Sequence, residues 1–469
     1  MAGTEIGTFS DRMRDAVRGG GPFDGGDTLR INQGFANAGV WNAQQTNETE
    51  SINKLRVDTD LIRLGMAGNL ANFVLLDQAG ETKRGQDIDY NGQKAGYTLD
   101  PQENISYVSK HDNQTLWDNN MYKVASQVTP EQRAQMQILA LSTNMLGQGI
   151  PFLHMGSELL RSKSMQRDSY DSGDWFNIVN YDMSDNNWNV GLPREDKDGA
   201  NWPLIKTIIS DVNAQPSSAD IEWTNTRFKE LLNIRTSSPL FSLETEAEVK
   251  ERVDFRNTGV DSIAGLIVMT IDDGISAGED LDPAIDAIVT IINATNEQIV
   301  FPINGATGFT LHPTLVDGTA SFSGNEFTVP ALTSAVFVKN QTAIQGTGLA
   351  VDHSTKELSS IPPFADVIPH VRGDMNGWGD TNAMTFVGDG VYNTTINLDA
   401  GTYQFKVADP TWSTINYGTT EILVLGETLA LDGSDNISLT LASDSVVTFK
   451  LDANDITMAT LKVMATDVN

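Results

Sequence analysis

The stretch Tyr107–Asp118, YVSKHDNQTLWD, indicates the fold of the N-terminal half of this chain. Its first three residues are typical of the end of a buried strand, and a cluster of polar side chains follows directly. In parallel α/β structures, functional groups lie on the loops that follow the carboxyl ends of the strands. The stretch therefore predicts a functional cluster that includes His111, Asp112 and Asn113. A histidine that merely caps a loop is the alternative.

Helical and strand patterns alternate on both sides of this stretch. The clearest helix is predicted over 130–146, because Thr129 can cap it, Pro130 suits the first helical position and Gln132 completes a capping box. The other predicted elements are strands over 105–109 and 150–155 and a helix near 219–237. This order of strand, helix, strand and helix predicts a parallel sheet within residues 1–244.

The second half of the chain has a different pattern. Short β-rich runs separated by turn residues predict an antiparallel β-sandwich over 245–340. Residues 341–365 are polar and end in two prolines, which is typical of a linker. Further short strands predict a second β-sandwich domain over 366–469. The whole chain is therefore predicted to be multidomain.

The composition excludes several classes of protein. The net charge of −31, from 31 basic and 62 acidic residues, disfavours nucleic acid and anionic membranes as partners. It suits a neutral partner such as a polysaccharide, although plain solubility is the simpler explanation. The chain has no cysteine, which excludes disulfides, thiolate nucleophiles and cysteine-based zinc sites. No apolar run is long enough to predict a membrane span.

Four stretches together resemble one enzyme family. YVSKHDNQTLWD is similar to the fourth conserved region of the α-amylase superfamily of glycoside hydrolases, in its pullulanase form. The other stretches in register are GTFSDRMRDAVRGGGPFD (7–24), IRLGMAGNLANF (62–73) and the segment 149–177. The resemblance covers about residues 1–340. It implies strands six to eight of a (β/α)8 TIM barrel, followed by the C-terminal β-sandwich of pullulanases.

The resemblance also implies a chemistry and roles for particular residues. Members of this family hydrolyse α-1,6-glucosidic bonds with retention, using two carboxylates about 5–5.5 Å apart. A third acid stabilises the transition state, and Asp112 matches it, with His111 as its partner. Asn113 would extend the contacts to sugar hydroxyls. An ionised Asp112 can accept charge-assisted hydrogen bonds from two adjacent hydroxyls.

Six further side chains are candidate substrate contacts. The aromatic ones would stack on glucose faces or, alternatively, pack within their loops; they are Trp117, Tyr170 and Trp175. The polar ones would bind sugar hydroxyls or, alternatively, form a salt-bridged loop; they are Arg167, Asp168 and Asp174.

Two motifs of the family do not occur in the sequence. These are the G-x-R-x-D pattern that carries the nucleophile and the G-E-x-W pattern that carries the acid/base. Arg56 and Asp58 imitate the first pattern, but they lie in a predicted helix. We therefore expect the isolated chain to be inactive, with the missing N-terminal part of the enzyme as a partner. Whether the chain acts as an enzyme stays open, and a non-catalytic α-glucan-binding protein is the alternative.

The C-terminal domain carries a resemblance of its own. VRGDMNGWGD (371–380) and GTYQFKVADPTW (401–412) resemble segments of starch- and glycogen-binding β-sandwich modules. This implies that Trp378 and Trp412 form a stacking platform for glucose rings, and that Lys406 hydrogen-bonds sugar hydroxyls. Indole rings suit the flat apolar faces of sugars. The alternative is that one of the two tryptophans belongs to the core.

The resemblance sets further expectations about partners, cofactors and location. The expected ligands are α-glucans: pullulan, starch, glycogen or limit dextrin. No cofactor is required; calcium is allowed, but no EF-hand spacing specifies a site. Full-length members are secreted or at the cell surface. The first 21 residues of this chain lack the pattern of a signal peptide, so the protein stays inside the cell or has a different native start.

Overall fold

The structure is a computed structural model that describes residues 3–37, 41–44, 47–356, 362–388, 390–453 and 456–467. The chain splits into two compact units, Met1–Lys356 and Glu357–Asn469. Of the helices in the described part of the chain, none combines the length and apolarity that a membrane crossing requires.

A small parallel sheet lies in the first unit. Its three strands are Thr8–Ser10, Asn104–Ser106 and Ile150–Pro151, in that order. Phe9 pairs with Ile105, and Ile105 pairs with Ile150. The parallel pairing that the sequence predicts is found, but the strands are shorter than predicted, because the pairing ends at Ser106 and at Pro151.

Helices surround this sheet. The helix Pro130–Met145 begins with the predicted capping box, in which the Thr129 hydroxyl accepts a hydrogen bond from the Gln132 backbone and the Gln132 side chain accepts one from the Thr129 backbone. The prediction of this helix is confirmed. The other α-helices are Asp11–Arg18, Thr28–Ile31, Glu48–Met66, Leu116–Lys123, Asp174–Asn177, Glu195–Asp198, Trp202–Ile209, Ser218–Thr236 and Glu246–Arg252.

Antiparallel sheets form the rest of the first unit. One sheet has the strand order Phe309–Leu311, Thr333–Asn340, Ile285–Asn293, Leu266–Asp272 and Val253–Phe255. A second has the order Ile299–Pro302, Glu326–Val329 and Ser321–Ser323. Two short ribbons pair Val74–Leu76 with Thr82–Arg84 and Asp89–Tyr90 with Gln93–Lys94. Phe327 of the second sheet and Phe337 of the first are fully buried, with ring centroids 5.0 Å apart.

The predicted linker, 341–365, is only partly a linker. Its first part packs on the sandwich: Leu349 is buried, and its backbone N–H donates to Asp272 Oδ1 at 2.7 Å. Lys356 Nζ donates to the Val253 carbonyl at 3.0 Å. The polar composition concealed this docking, because the contacts that hold the segment are mostly backbone hydrogen bonds. Residues 357–361 lie outside the described part of the chain.

The second unit is built from two antiparallel sheets. In one, Gly401–Ala408 pairs with His370–Gly373, Asn416–Tyr417 and Ile437–Leu441. The other has the order Thr385–Gly388, Val391–Leu398, Ser445–Asp452, Thr460–Asp467 and Thr428–Ala430. Phe405 and Phe449 meet in the core between them, edge to face, with centroids 5.2 Å apart.

Candidate functional site

A cleft of about 820 Å³ opens beside the carboxyl ends of the first two parallel strands. We call it the polar cleft. Four segments of the first unit, and Lys197, line it: Asp11, Arg14, Pro22, Phe23, Lys110, His111, Asp112, Asn113, Arg167, Asp168, Ser169, Tyr170, Asn177 and Lys197. Its position agrees with the rule that loops after parallel strands carry functional groups.

Asp112 presents its carboxylate to the polar cleft. Its two oxygens lie 3.3 Å from Lys110 Nζ and 3.3 Å from His111 Nε2. The side chains of Asp112 and His111 are 55% and 81% exposed. Both side chains are therefore accessible to a ligand. The carboxylate keeps lone pairs free for a ligand's hydroxyl groups.

Arg167 joins three loops at one side of the polar cleft. Its guanidinium donates to Asn113 Oδ1 at 3.4 Å and to the Pro22 carbonyl, while its backbone N–H donates to Asp198 Oδ2 at 2.9 Å. Asn113 has a φ of 62°, in the left-handed region that asparagine tolerates better than most residues. Arg167 therefore fixes the loop that carries Asn113.

Lys163 supports the cleft from beneath and was not predicted from the sequence. Its side chain is fully buried, and Nζ donates to Ser169 Oγ at 3.0 Å and to the carbonyls of His111 and Arg167 at 3.4 and 3.5 Å. Burial lowers the pKa of Lys163 to about 8. One ammonium thus ties together the two loops that carry most of the candidate residues.

Asp118 holds the chain on which Lys163 lies. Its buried carboxylate accepts hydrogen bonds from Ser162 Oγ at 2.5 Å and from the Lys163 backbone N–H at 2.8 Å. Burial raises the pKa of Asp118, while these hydrogen bonds oppose the shift. The side chain belongs to the support of the cleft and does not line it.

Asp168 and Tyr170 form the outer side of the cleft. Lys197 Nζ lies 2.8 Å from Asp168 Oδ2 and 4.8 Å from the centre of the Tyr170 ring. The Tyr170 side chain is 83% exposed, so its ring is accessible to a ligand. The contact between Lys197 and Asp168 shows that this loop is salt-bridged, as the alternative interpretation expects, and also open to the cleft.

Three of the predicted residues do not line the cleft. Asp174 begins the short helix Asp174–Asn177, and Trp175 follows it with 64% of its side chain exposed. Trp117 is fully buried among apolar residues that include Met121. The prediction that Trp117 stacks on glucose is wrong, because no face of its ring is open to a ligand.

Four residues of the segment 7–24 line the cleft without having been predicted as contacts: Asp11, Arg14, Pro22 and Phe23. Arg14 donates to Asp11 Oδ1 at 2.8 Å and to the Tyr107 hydroxyl at 2.6 Å, which places both charges at the cleft. Phe23 is 89% exposed and lines the same cleft. The sequence signal for the exposure of Phe23 was the loop that carries it, in which Pro22 and Phe23 follow three glycines. Such a loop offers few side chains that could cover an aromatic ring.

The second unit holds a pair of half-buried indole rings. Trp378 and Trp412, which we call the tryptophan pair, have ring centroids 6.2 Å apart and planes inclined at 34°. Both are half-buried and have positive φ angles of 63° and 59°. Lys406 Nζ lies 5.9 Å from the centre of the Trp412 ring. The predicted platform residues are therefore brought together in space.

Arg372 binds both loops of the tryptophan pair. Its guanidinium donates to the Trp378 carbonyl at 2.7 and 3.1 Å and to the Asp409 carbonyl at 2.8 Å. It also lies 4.0 Å from the centre of the Trp412 ring. Arg372 therefore covers one face of the Trp412 ring.

Asp409 shapes the turn before Trp412. Burial disfavours its charged form, but hydrogen bonds from Thr411, Ile415 and Thr414 outweigh burial and hold the pKa of Asp409 well below its usual range. The carboxylate therefore stays ionised at neutral pH and keeps the turn closed.

The paired oxygen ligands that calcium prefers are often supplied by clusters of acidic side chains. The residues that the structure describes bring together no cluster of three or more His, Asp or Glu side chains that could hold a metal ion. Whether the chain binds calcium stays a prediction from the resemblance.

Comparison with known proteins identifies the family. Residues 183–340 match the family model "Alpha-1,6-glucosidases, pullulanase-type, C-terminal", and residues 372–458 match "Pullulanase X25 domain". A pullulanase of Klebsiella pneumoniae is 49% identical over 364 residues, which cover 75% of this chain and 33% of that protein. The chain belongs to the pullulanase family. It corresponds to the C-terminal portion of these proteins.

Further relatives agree with this assignment. The pullulanase of Klebsiella aerogenes is 57% identical over 59% of this chain and 25% of its own length. Pullulanase 1, chloroplastic, of Arabidopsis thaliana is 41% identical over 73% of this chain and 37% of its own length. This pullulanase-family chain thus spans between a quarter and two fifths of the length of these relatives.

Solved structures of the family superpose on the chain. The apo pullulanase of Klebsiella pneumoniae matches with a TM-score of 0.72 and 50% identity, over 75% of this chain and 39% of that one. A pullulanase from the same organism complexed with maltotriose also matches with a TM-score of 0.72, at 49% identity, over 75% of this chain and 34% of that one.

Proposed function

We propose that this chain forms part of a pullulanase-type hydrolase that cleaves α-1,6-glucosidic bonds in α-glucans such as pullulan, starch or glycogen, with retention. The observation that carries the proposal is the exposed Asp112 carboxylate in the polar cleft, between Lys110 and His111. The maltotriose complex of the Klebsiella relative supports a glucan as the ligand.

In this proposal the three parallel strands are strands six to eight of a (β/α)8 barrel. The support is that the candidate residues lie at their carboxyl ends, where barrel enzymes carry their active sites. Two adjacent hydroxyls of one glucose unit donate to the Asp112 oxygens. His111 and Asn113 hydrogen-bond the same ring, and the exposed rings of Phe23 and Tyr170 contact its apolar faces.

Asp112 acts here on the charge that develops during bond cleavage. A retaining glycosidase passes through an oxocarbenium-like transition state, and an ionised carboxylate close to the ring stabilises it. The nucleophile and the acid/base need a second and a third carboxylate, and the sequence has neither family motif that would supply them. We therefore expect the isolated chain to bind glucan without hydrolysing it, and the remaining part of the enzyme to supply both carboxylates.

The test separates binding from hydrolysis. Maltotriose binding to the purified chain is measured by calorimetry, and reducing-sugar release from pullulan is measured in parallel. Asp112→Asn should abolish binding, while Asp174→Asn, outside the cleft, should leave it unchanged. Release of sugar that vanishes in Asp112→Asn would contradict the proposed inactivity and reveal a nucleophile in this chain. Release that appears only when the remaining part of a related pullulanase is co-expressed would support the proposal.

A second candidate function is non-catalytic binding of α-glucan by the second unit. The observation that favours it is the tryptophan pair, whose indole rings lie 6.2 Å apart, since large aromatic rings suit the apolar faces of sugars. Retardation of the chain in glycogen-containing gels should disappear in Trp412→Ala. The control is Trp175→Ala, which removes an exposed indole of the first unit. Equal retardation of all three proteins would exclude the tryptophan pair as a platform.

The location of the whole protein also stays a proposal. Secretion or attachment at the cell surface is expected from the resemblance. The Arabidopsis relative is named chloroplastic, so members of the family occupy more than one compartment. Fractionation of the native host with an antibody against the second unit would decide the location.

A further inference from the structure

Asp11 supplies the polar cleft with a second accessible carboxylate, which the proposed function leaves unused. It begins the helix Asp11–Arg18 directly after the strand Thr8–Ser10. Its side chain is 51% exposed, close to the 55% of Asp112, and both residues line the cleft. A ligand in the cleft can therefore reach the Asp11 carboxylate.

The two carboxylates follow neighbouring parallel strands. Ser10, the residue before Asp11, pairs with Ser106, and Asp112 lies on the loop that follows Ser106. Neighbouring strands of a sheet lie about 4.8 Å apart. A single oligosaccharide that lies across the two strand ends can therefore contact both carboxylates.

One oxygen of Asp11 is held by two neighbouring side chains. Oδ1 accepts a hydrogen bond from Arg14 Nη1 at 2.8 Å and another from the Tyr107 hydroxyl. The Arg14 side chain is buried, and its Nε donates to Asp15 Oδ1 at 2.7 Å. The Tyr107 ring is buried and packs edge to face on Phe9, with centroids 5.5 Å apart. The orientation of the Asp11 carboxylate is therefore set before a ligand binds, which reduces the entropy lost on binding.

The other oxygen of Asp11 is available to a ligand. Oδ2 accepts no hydrogen bond from the residues that the structure describes, since both bonds to this carboxylate go to Oδ1. A carboxylate oxygen has two lone pairs and accepts strong, charge-assisted hydrogen bonds from hydroxyl groups. The pairing of Asp11 with Arg14 leaves this capacity intact.

We propose that Asp11 is a further glucan-binding residue of the polar cleft, and that its Oδ2 accepts a hydrogen bond from a hydroxyl group of the bound α-glucan. This inference rests on the proposed function, because it concerns the same ligand. Arg14 and Tyr107 orient the Asp11 carboxylate, and Asp112 binds the same oligosaccharide from the neighbouring strand end.

The test is calorimetry of maltotriose binding to the full chain and its variants. Asp11→Ala should weaken binding about tenfold or more, because it removes a hydrogen bond to a charged acceptor. Asp11→Asn keeps an acceptor oxygen without the charge, so it should weaken binding about fivefold. The asparagine variant is close to isosteric and keeps the test decisive if the alanine variant does not fold.

The matched control is Asp15→Ala. It also removes a carboxylate that pairs with Arg14, but Asp15 does not line the cleft, so the affinity for maltotriose should stay within about twofold. Equal losses in Asp11→Ala and Asp15→Ala would overturn the proposal, because Asp11 would then act only through Arg14.

The variant Asp112→Asn separates this inference from the proposed function. Unchanged affinity in both Asp11 variants, together with lost binding in Asp112→Asn, would overturn the inference and leave the proposed function standing. Absence of maltotriose binding by the unsubstituted chain would overturn both.

Discussion

His154 makes the stability of the first unit depend on pH. Arg161 Nη1 lies 3.3 Å from its Nε2, and Ser109 Oγ lies 3.2 Å from its Nδ1. Since a guanidinium can only donate, Nε2 accepts and the neutral ring carries its proton on Nδ1. A second proton would have to bind at Nε2, which faces the positively charged guanidinium of Arg161. Burial, followed by the charges of Arg161, Lys163 and His111, lowers the pKa of His154 to about 3.

The direction in which the free energy of unfolding changes with pH follows from the depressed pKa of His154. Above pH 6.5, the ordinary value, the ring is neutral in both the folded and the unfolded chain. Below that pH the unfolded chain takes up a proton that the folded chain does not, so the free energy of unfolding falls. A pH of 5 lies about 1.5 pH units below the ordinary pKa of histidine. The free energy of unfolding at pH 5 is therefore about 2 kcal/mol lower than at pH 8.

The assay compares urea unfolding of the full chain at pH 8 and pH 5 with that of His154→Asn. Asparagine can still donate to Ser109 but cannot take up a proton in this range. The loss of stability between the two pH values should therefore be about 2 kcal/mol smaller in the variant. His353→Asn removes an exposed histidine of the same unit and is the control. Equal losses in His154→Asn and the unsubstituted chain, or an NMR titration of His154 near pH 6.5, would refute the reasoning.

Three further predictions concern packing and the tryptophan pair. Trp117→Ala should lower the free energy of unfolding by about 3–5 kcal/mol, because it empties a core position. Trp175→Ala, at an exposed position, should change the free energy of unfolding by no more than about 0.5 kcal/mol. Urea unfolding measures both effects. Arg372→Lys should weaken glycogen binding about tenfold in affinity gels, since an ammonium cannot make the several hydrogen bonds of the guanidinium fork; unchanged retardation would contradict the role of Arg372. Leu349→Asp should release the segment 341–356 from the sandwich, so limited proteolysis should cut there first, and an unchanged cleavage pattern would contradict that docking.

Local signals in the sequence predicted the elements whose stability is local. The capping box at Thr129 and Gln132 and the apolar steps that follow determine where the helix Pro130–Met145 begins, and all of these lie within a few turns. The alternation of strands and helices predicted the parallel pairing in the same way. The docked segment 341–356 was missed because the partners of its backbone lie far away in the sequence, as Asp272 does for Leu349.

The candidate site shows the same division between local and distant contacts. His111, Asp112 and Asn113 were predicted because they follow a strand end, and the structure places all three at the polar cleft. For Trp117 the sequence left stacking and packing open, and the structure decides for packing, since the helix Leu116–Lys123 is buried on all sides although it carries several polar residues. Lys163 was missed for a related reason: a lysine is normally exposed, and only the folded loops bring three acceptors to its ammonium.

The charge of the polar cleft differs from that of the whole chain. The chain carries −31, but the cleft is lined by four basic and three acidic side chains, so its lining has a net charge of +1. Each of the three acids has a basic neighbour: Asp11 has Arg14, Asp112 has Lys110 and Asp168 has Lys197. A ligand in this cleft therefore meets many hydrogen-bonding groups and little net field. Such a surface suits a neutral polyol better than an ion.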